Sequence, residues 1–338
     1  MAVFYRTQTI EHPIGEYGRL TIKLTSSDAV LRGVSGGAAR VVANFEIRAS
    51  SDEEADHIFE AAKLVVDQGA GFLHVSEPDG NSSLGSLVGR IFSGRGVDFD
   101  LTADIPHSAA LEFAAVSADV NVEGLLGDQV YATVSGDLSL TRLGGSARVN
   151  SVSGDVSMRA DQPISVTADT VSGDLSVVAP VINGLRANAV SGDVDLEGQL
   201  ALGEQYRIDT VSGDLSIALF GGATFEVRGI SSDVSSDLDH RIEGRQDRRR
   251  VTVGAGGPEI VFNSMSGDLA IHRPRRLDLP PAPPLPPAAP ATPAPPRPSA
   301  EEQLSILQAL ERGEIDVEEA TRRLSGESTQ ASGSDSDE

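Results

Sequence analysis

Hydrophobic and polar residues alternate along the middle of the chain in short segments that recur about every 18 to 21 residues. Each unit holds two apolar residues one polar residue apart, then a Val-Ser-Gly-Asp phrase, then a second apolar pair. Around Val152 the first pair is Ala147 and Val149, and the second pair is Val156 and Met158. Alternation with a period of two is typical of a strand that buries one face. The pattern therefore predicts two strands per unit, with Val-Ser-Gly-Asp between them.

The repeated phrase marks the corners of a predicted β-solenoid. Five copies are intact, three are looser, and a decayed copy stands at Ser26-Ser27-Asp28. The corner aspartates, separated by 18, 18, 19, 19, 21, 19 and 35 residues, are Asp119, Asp137, Asp155, Asp174, Asp193, Asp214, Asp233 and Asp268. The corner glycines are Gly136, Gly154, Gly173, Gly192, Gly213 and Gly267. Self-similarity at this period indicates a solenoid, so we predict a mostly β fold in which residues 111–272 form about eight coils.

The two strands of a unit are out of phase, which predicts a bend or bulge at each corner. The step from Val149 to Val152 is odd and the step from Val152 to Val156 is even, so a flat strand cannot bury both sets. We expect the valine to point inward, the glycine to supply backbone freedom, and the serine and aspartate to bond nearby backbone N–H groups. The alternative is a cation held between stacked carboxylates. Calcium-binding β-rolls do this, but their nine-residue repeat is absent here.

Residues 1–110 are predicted to form a β region with one helix that caps the solenoid. Ser51 and Glu54 form a capping box, and the apolar residues that follow at helical spacing extend the predicted helix to Gly69. We expect this helix to pack on its own sheet rather than on a partner. Residues 78–96 mix glycines and serines with a few apolar residues, which predicts a flexible loop.

An insertion at residues 238–258 explains the 35-residue step and predicts a hairpin or loop over one end of the stack. Its arginines are Arg241, Arg245, Arg248, Arg249 and Arg250. They could bind an acidic ligand or a lipid headgroup. Alternatively they belong to a solvated loop balanced by Asp239, Glu243 and Asp247, and we favour this second interpretation.

The end of the chain predicts a spacer followed by a small module. Residues 273–299 include 12 prolines, which predicts a stiff, extended linker. Residues 300–325 predict a short helical hairpin and residues 326–338 a disordered acidic tail. About 26 residues cannot bury a stable core alone, so we expect the hairpin to self-associate or to dock on a protein partner. The candidate docking residues are Ile306, Leu307, Leu310, Ile315 and Leu324.

Composition narrows the chemistry. The 338 residues carry a formal net charge of −23 and include no cysteine. This charge repels phosphates and disfavours nucleic-acid binding, while the lack of cysteine excludes disulfides and Cys-based zinc sites. None of the six histidines has a metal-ligand spacing, so we predict no catalytic residue, cofactor or metal site. The first residues of the sequence show no signal-peptide pattern, and no apolar run reaches about 20 residues. We therefore predict a cytoplasmic protein, with peripheral association at the cell envelope as an alternative.

The repeats resemble a bacterial group, the putative-adhesin β-repeat family, a domain of unknown function. The resemblance rests on five intact Val-Ser-Gly-Asp copies that follow an Ile-Pro strand at Asp104-Ile105-Pro106, and it covers roughly residues 15–272. The terminal helices, with Ile306 to Ile315 and Glu318-Glu319-Ala320, are similar to the short SHOCT-like module. The family implies a β-solenoid without catalytic residues and, for some relatives, a link to envelope stress responses.

Three functional hypotheses fit this organisation. The first is a non-enzymatic scaffold or binding protein on a rigid solenoid, with residues 300–325 mediating oligomerisation or partner docking. The second is a self-assembling filament similar to bactofilins, although capped ends would block end-to-end growth. The third is a carbohydrate-active β-helix enzyme. Aspartates that repeat with the scaffold favour a structural role over catalysis, so we favour the first hypothesis.

Overall fold

The computed structural model describes residues 2–78, 97–245 and 247–274. The predicted glycine-rich loop, from residue 79 onward, lies outside the described residues. So do the predicted helical hairpin, the acidic tail and all but the first two residues of the Pro-rich linker. Within the described ranges, no helix is long and apolar enough to cross a membrane.

Twenty-two strands and one helix make up the described part of the chain. The first half comprises β1 Ala2–Pro13, β2 Arg19–Lys23, β3 Ala29–Val34, β4 Ala38–Ala49, α1 Asp52–Ala62, β5 Val65–Gly69, β6 Phe72–Ser76, β7 Val97–Pro106, β8 Ala110–Ser117, β9 Val120–Glu123, β10 Asp128–Ser135 and β11 Leu138–Ser153. The second half comprises β12 Val156–Ser172, β13 Leu175–Ser191, β14 Val194–Leu200, β15 Tyr206–Ser212, β16 Leu215–Leu219, β17 Ala223–Ser231, β18 Val234–Ser236, β19 His240–Arg245, β20 Arg248–Val253, β21 Glu259–Ser266 and β22 Leu269–His272.

The strands stack into two ladders that meet at the repeat corners. Ladder 1 holds the strands that enter the corners, and ladder 2 holds the strands that leave them. The long strands β11, β12 and β13 each begin in ladder 2 and end in ladder 1. The order of ladder 1 is β5, β6, β2, β8, β10, β11, β12, β13, β15, β21, β17, β20 and β19. The order of ladder 2 is β1, β4, β7, β3, β9, β11, β12, β13, β14, β16, β22 and β18.

The predicted fold class, a mostly β solenoid, is confirmed. Parallel, in-register neighbours place equivalent repeat residues above one another, as Val149 above Ala168 and Met158 above Val177. The apolar pairs on both sides of each corner point into a common interior, where Val149 and Met158 are each 1% exposed. Burial of these side chains in every coil supplies the main stabilising contribution to the stack.

Parallel stacking begins well before residue 111. β2 lies between β6 and β8, and β3 lies between β7 and β9, in parallel register. The decayed phrase at Ser26-Ser27-Asp28 therefore belongs to a full level of the solenoid. Ten strands of ladder 1, β6 to β17 in the order above, run parallel. Sequence alone predicted eight coils because this copy lost the valine and glycine that mark the others.

At the opposite end the levels depart from chain order. The coil of residues 259–272 lies between the coil of 206–219 and that of 223–236, since β21 separates β15 from β17 and β22 separates β16 from β18. The copy at 223–236 is the most decayed, with Ile230 75% exposed. It occupies the last parallel level, where it needs to pack against only one neighbouring coil.

Antiparallel strands close both ends of ladder 1. β5 pairs antiparallel with β6, and the hairpin of β19 and β20 pairs antiparallel with β17. This hairpin is the structure of the predicted insertion at 238–258. At one end of ladder 2, β4 and β1 also add antiparallel strands to β7. Such edges interrupt the parallel register that another solenoid end would need for continued stacking.

Four of the five arginines of the hairpin have partners within the chain. Arg248 forms an ion pair with Glu226, Arg250 lies 3.6 Å from Glu259, and Arg241 lies 3.6 Å from Glu243. Arg249 donates a hydrogen bond to the backbone carbonyl of Ser232. The hydrogen bond from Arg228, which outweighs partial desolvation, keeps the pKa of Glu226 below its ordinary value.

Helix α1 starts where the capping box predicts but ends earlier. Ser51 is its N-cap, and the Ser51 hydroxyl accepts a hydrogen bond from the backbone N–H of Glu54 at 3.2 Å. The helix stops at Ala62 rather than at Gly69, because the residues after it form β5 beside β6. α1 packs on its own sheet as expected: the Phe59 ring meets the Phe45 ring edge-on, 5.3 Å between centroids.

Gln129 and Tyr131 are the one pair that fits the apolar pattern poorly, and both are buried. The Tyr131 hydroxyl donates to Gln129 Oε1 at 3.0 Å, while Gln129 Nε2 lies 3.2 Å from the carbonyl oxygens of Leu125, Gly127 and Gly144. Each polar atom therefore has a partner, which makes its burial tolerable. Burial raises the pKa of Tyr131 far above its ordinary value.

Candidate functional site

The valine of each Val-Ser-Gly-Asp phrase points outward, which contradicts the inward orientation predicted from the sequence. Between 46% and 50% of each of these residues is exposed. Stacked in register, the outward residues form what we call the valine row. In stacking order its members are Val116, Val134, Val152, Val171, Val190, Val211, Met265 and Ile230. The last two are 56% and 75% exposed.

The change of phase occurs after the valine rather than before it. In the coil around Val152, the buried residues Ala147, Val149 and Ser151 follow one another in even steps, and Val156 is the next buried residue. Ser151 hence takes the last inward position before the corner. In this coil its hydroxyl lies 3.4 Å from the Ser153 carbonyl.

A small residue precedes the valine in every copy, and this was the missed signal. The residues are Ala115, Thr133, Ser151, Thr170, Ala189, Thr210, Gly229 and Ser264. At Thr133, Ser151 and Thr170, the hydroxyl donates a hydrogen bond to the backbone carbonyl two residues farther along the chain, at 3.0, 3.4 and 3.4 Å. Treating every apolar residue as buried led to the wrong orientation for the valine.

Where the corner residue is glycine, it lies so close to the adjacent level that no larger residue fits. Gly154 has a φ of +117°, and a Cβ added there would lie 2.2 Å from the carbonyl oxygen of Gly136 on the adjacent level. The φ of Gly213 lies outside the left-handed region, but a Cβ added there would still lie 2.1 Å from the carbonyl oxygen of Gly192. Close backbone approach therefore requires glycine even where backbone freedom does not.

The corner aspartates form a continuous chain of hydrogen bonds that we call the aspartate ladder. Except at the last member, each Oδ1 accepts a bond of 2.7–3.0 Å from the backbone N–H of the aspartate on the next level. In order the members are Asp28, Asp119, Asp137, Asp155, Asp174, Asp193, Asp214, Asp268 and Asp233. The corner interrupts the backbone ladder, and the carboxylate supplies the acceptor that this N–H would otherwise lack.

We expect Asp155→Ala to lower the free energy of unfolding by about 1 kcal/mol, because the N–H of Asp174 loses its acceptor. Asp155→Asn keeps an oxygen acceptor and removes one charge from the ladder, so its stability should match the wild type within about 0.5 kcal/mol. Urea unfolding followed by circular dichroism measures both. Equal losses for the two variants would show that the carboxylate charge, rather than the acceptor, matters at this corner.

Beside the corners, the valine row borders an open apolar groove of about 650 Å³. It extends over six levels, from Lys23 and Leu24 in the level of β2 to Asn188 and Val190 in the level of β13. With levels about 4.8 Å apart, the five intervals span roughly 24 Å. Ala114 and Ala132 continue the apolar lining beside the first valines.

The two sides of the groove differ in charge. The aspartate ladder lies at the corner, three residues along the chain from the valine row; its carboxylates are all exposed, and none of them lines the groove itself. On the strand side the lining includes Asn150, Asp169 and Asn188, and Asp169 Oδ1 accepts a 2.5 Å hydrogen bond from Asn188. Farther out on that side lie the exposed residues Arg148 and Arg186. The apolar groove therefore has acidic residues on its corner side and residues of both charges on its strand side.

The described ranges hold no group of three or more His, Asp or Glu side chains that could bind a metal ion. The aspartate ladder is instead committed to backbone hydrogen bonds through one oxygen of each carboxylate. The predicted docking residues of the helical hairpin, Ile306 to Leu324, lie outside the described residues.

These features define a β-solenoid whose corners stack through glycine and aspartate. The chain belongs to the Toastrack DUF4097 family, whose pattern matches residues 9–183. No curated protein matches the chain.

Solved structures to which the chain is similar include a protein from Bacteroides fragilis NCTC 9343 described as a putative adhesin, which is 14% identical, with a TM-score of 0.45 over 79% of this chain and 97% of that one. A second, from Parabacteroides distasonis ATCC 8503, is described as a putative lipid binding protein; it is 12% identical, with a TM-score of 0.23 over 80% of this chain and 97% of that one.

Proposed function

We propose that the protein is a non-enzymatic binding scaffold whose rigid solenoid presents the apolar groove to a partner. The observation that carries this proposal is the valine row: eight outward apolar side chains, one per level, with exposures of 46% to 75%. Single exposed apolar residues are common on protein surfaces, whereas a contiguous apolar patch bordered by polar groups is typical of an interaction site.

The scaffold supports binding because it fixes the groove before any partner arrives. Each valine is held between neighbours in ladder 1 and a corner that glycine and aspartate lock to the adjacent levels. A surface of this kind loses little conformational entropy on association. Oδ1 of eight of the nine corner aspartates accepts a hydrogen bond within the fold, which supports a binding role over hydrolytic chemistry.

We further propose that residues 300–325 mediate oligomerisation or partner docking, and that the protein acts in the cytoplasm or peripherally at the cell envelope, with a link to envelope stress. The SHOCT-like resemblance and the apolar faces of the predicted hairpin support this assignment. The antiparallel closure of ladder 1 at both ends favours a discrete particle over a bactofilin-like filament.

An uncharged environment-sensitive dye, Nile red, tests the groove in the full chain. We expect its fluorescence to rise on binding, and to fall at least about three-fold in the variant Val134→Thr/Val152→Thr/Val171→Thr, since each substitution replaces a methyl with a hydroxyl. Threonine keeps the β-branched shape suited to a strand.

Leu202→Thr is the matched control, because Leu202 is 80% exposed in the turn after β14 and lies outside the groove. Dye binding that falls equally in both variants, or in neither, would contradict the proposed binding role. Thermal melts verify that all variants remain folded.

A further inference from the structure

We propose that the occupant of the groove is an amphipathic helix of a partner protein, with an apolar ridge and a basic flank that faces the aspartate ladder. This inference rests on the proposed binding function and names the chemistry of the partner. It follows from three properties of the groove: the state of its backbone groups, the spacing of its apolar residues and the charge of its two sides.

The backbone of the groove offers no free edge for an added strand. Every ladder 1 strand from β2 to β13 in the stack lies between two parallel neighbours, so its N–H and C=O groups are already paired. A partner can therefore contact only side chains. A helix satisfies its own backbone hydrogen bonds and needs none from the surface it contacts.

The spacing of the valine row suits a helix better than an extended chain. Neighbouring valines are about 4.8 Å apart along the stack. Successive turns of a helix repeat every 5.4 Å or so, whereas residues on one face of a strand repeat about every 6.6 Å. A helix of about 16 residues matches the groove length of roughly 24 Å.

The charge of the surroundings specifies the polar flanks of that helix. Along the groove the corner side carries one exposed carboxylate per level, including Asp119, Asp137, Asp155, Asp174 and Asp193. Lysine or arginine on the facing flank would meet these carboxylates. The far flank faces two amides, the Asp169 carboxylate that accepts a hydrogen bond from Asn188, and the exposed Arg148 and Arg186, so the positive charge belongs on the flank that faces the ladder.

The same argument disfavours an occupant from this protein itself. The chain carries a net charge of −23. The segment 300–325 holds seven Asp and Glu residues against three arginines, and it would be repelled by the aspartate ladder. A basic partner of another sequence is the complementary one.

The probe is a synthetic 18-residue peptide with leucines at helical spacing, lysines along one flank and glutamines elsewhere. We expect it to displace Nile red from the full chain. The triple Val→Thr variant should bind it at least about ten-fold more weakly. A second triple variant, Asp137→Asn/Asp155→Asn/Asp174→Asn, keeps the acceptor oxygens but removes three charges. At low salt it should bind the peptide several-fold more weakly, and its affinity should lose most of the dependence on salt. Leu202→Thr should bind it as the wild type does.

Three results would overturn the proposal: equal binding of a peptide with glutamates in place of the lysines, equal binding of a scrambled peptide that lacks the leucine ridge, or unchanged affinity in the triple Val→Thr variant. Dye that binds in the groove but is not displaced by the lysine peptide would refute the basic helix as partner while leaving the binding function intact. Dye that does not bind in the groove at all would refute both.

Discussion

Gly154→Ala is expected to destabilise the protein by roughly 3–5 kcal/mol, the largest effect of any single substitution considered for the corners. Two costs add. Alanine is strained at a φ of +117°, and its Cβ would lie 2.2 Å from the carbonyl oxygen of Gly136. That oxygen belongs to the backbone of the adjacent level, so it cannot move without disturbing the hydrogen bonds of its own corner. Guanidinium unfolding of the full chain measures the loss.

Two other glycines separate the causes. Gly213→Ala tests the steric contact without the left-handed conformation, and we expect a smaller loss of about 1–3 kcal/mol. Gly221→Ala is the neutral control, because no atom lies within 4 Å of its added Cβ, and its effect should stay within about 0.5 kcal/mol. If Gly154→Ala cost no more than Gly221→Ala, the close approach of successive corners would be refuted.

Paired cysteine substitutions should give an all-or-none test of the order of the coils. Ser216 and Ala270 are register neighbours on adjacent levels. The double variant Ser216→Cys/Ala270→Cys should therefore form a disulfide on mild oxidation. Ser216→Cys with Ser235→Cys should not, because Ala270 lies between them and the two Cα atoms are two levels, about 9.6 Å, apart. The absence of native cysteine keeps the result free of competing disulfides.

A positive control completes this test. Ala270→Cys with Ser235→Cys joins the other pair of adjacent levels and should also cross-link. Peptide mapping under non-reducing conditions identifies each product. A disulfide between positions 216 and 235, with none between 216 and 270, would mean that the coils stack in chain order.

Local features of the sequence predicted a large part of the fold. The period near 20 indicated the solenoid, the alternation of apolar residues indicated two strands per coil, and the capping box at Ser51 marked the start of α1. These features are local, since each depends on residues within one coil or one helical turn. The same local reasoning predicted that α1 continues to Gly69. The helix ends at Ala62 instead, because the residues after it form β5, which is stabilised by pairing with β6.

The binding surface was the part that the sequence pattern described wrongly. The period of two shows which residues share a face, but it does not show which face is inside when a small residue competes with a valine. At Ser151 and Val152, the serine lies inside and is 5% exposed, with its hydroxyl 3.4 Å from the Ser153 carbonyl. The valine is left outside, where its copies on neighbouring levels create the groove.

The sequence by itself determined the repeat, the strands, the corner residues and the acidic character of the protein. Tertiary structure decided the order of the coils at both ends, the outward orientation of the valines and the hydrogen bonds that join the aspartates. These depend on contacts between residues far apart in the chain, such as Asp214 with Asp268 and Asp268 with Asp233. Which strands pair depends on which strand edges remain unpaired and on which faces pack together. Neither property can be inferred from a local pattern of residues.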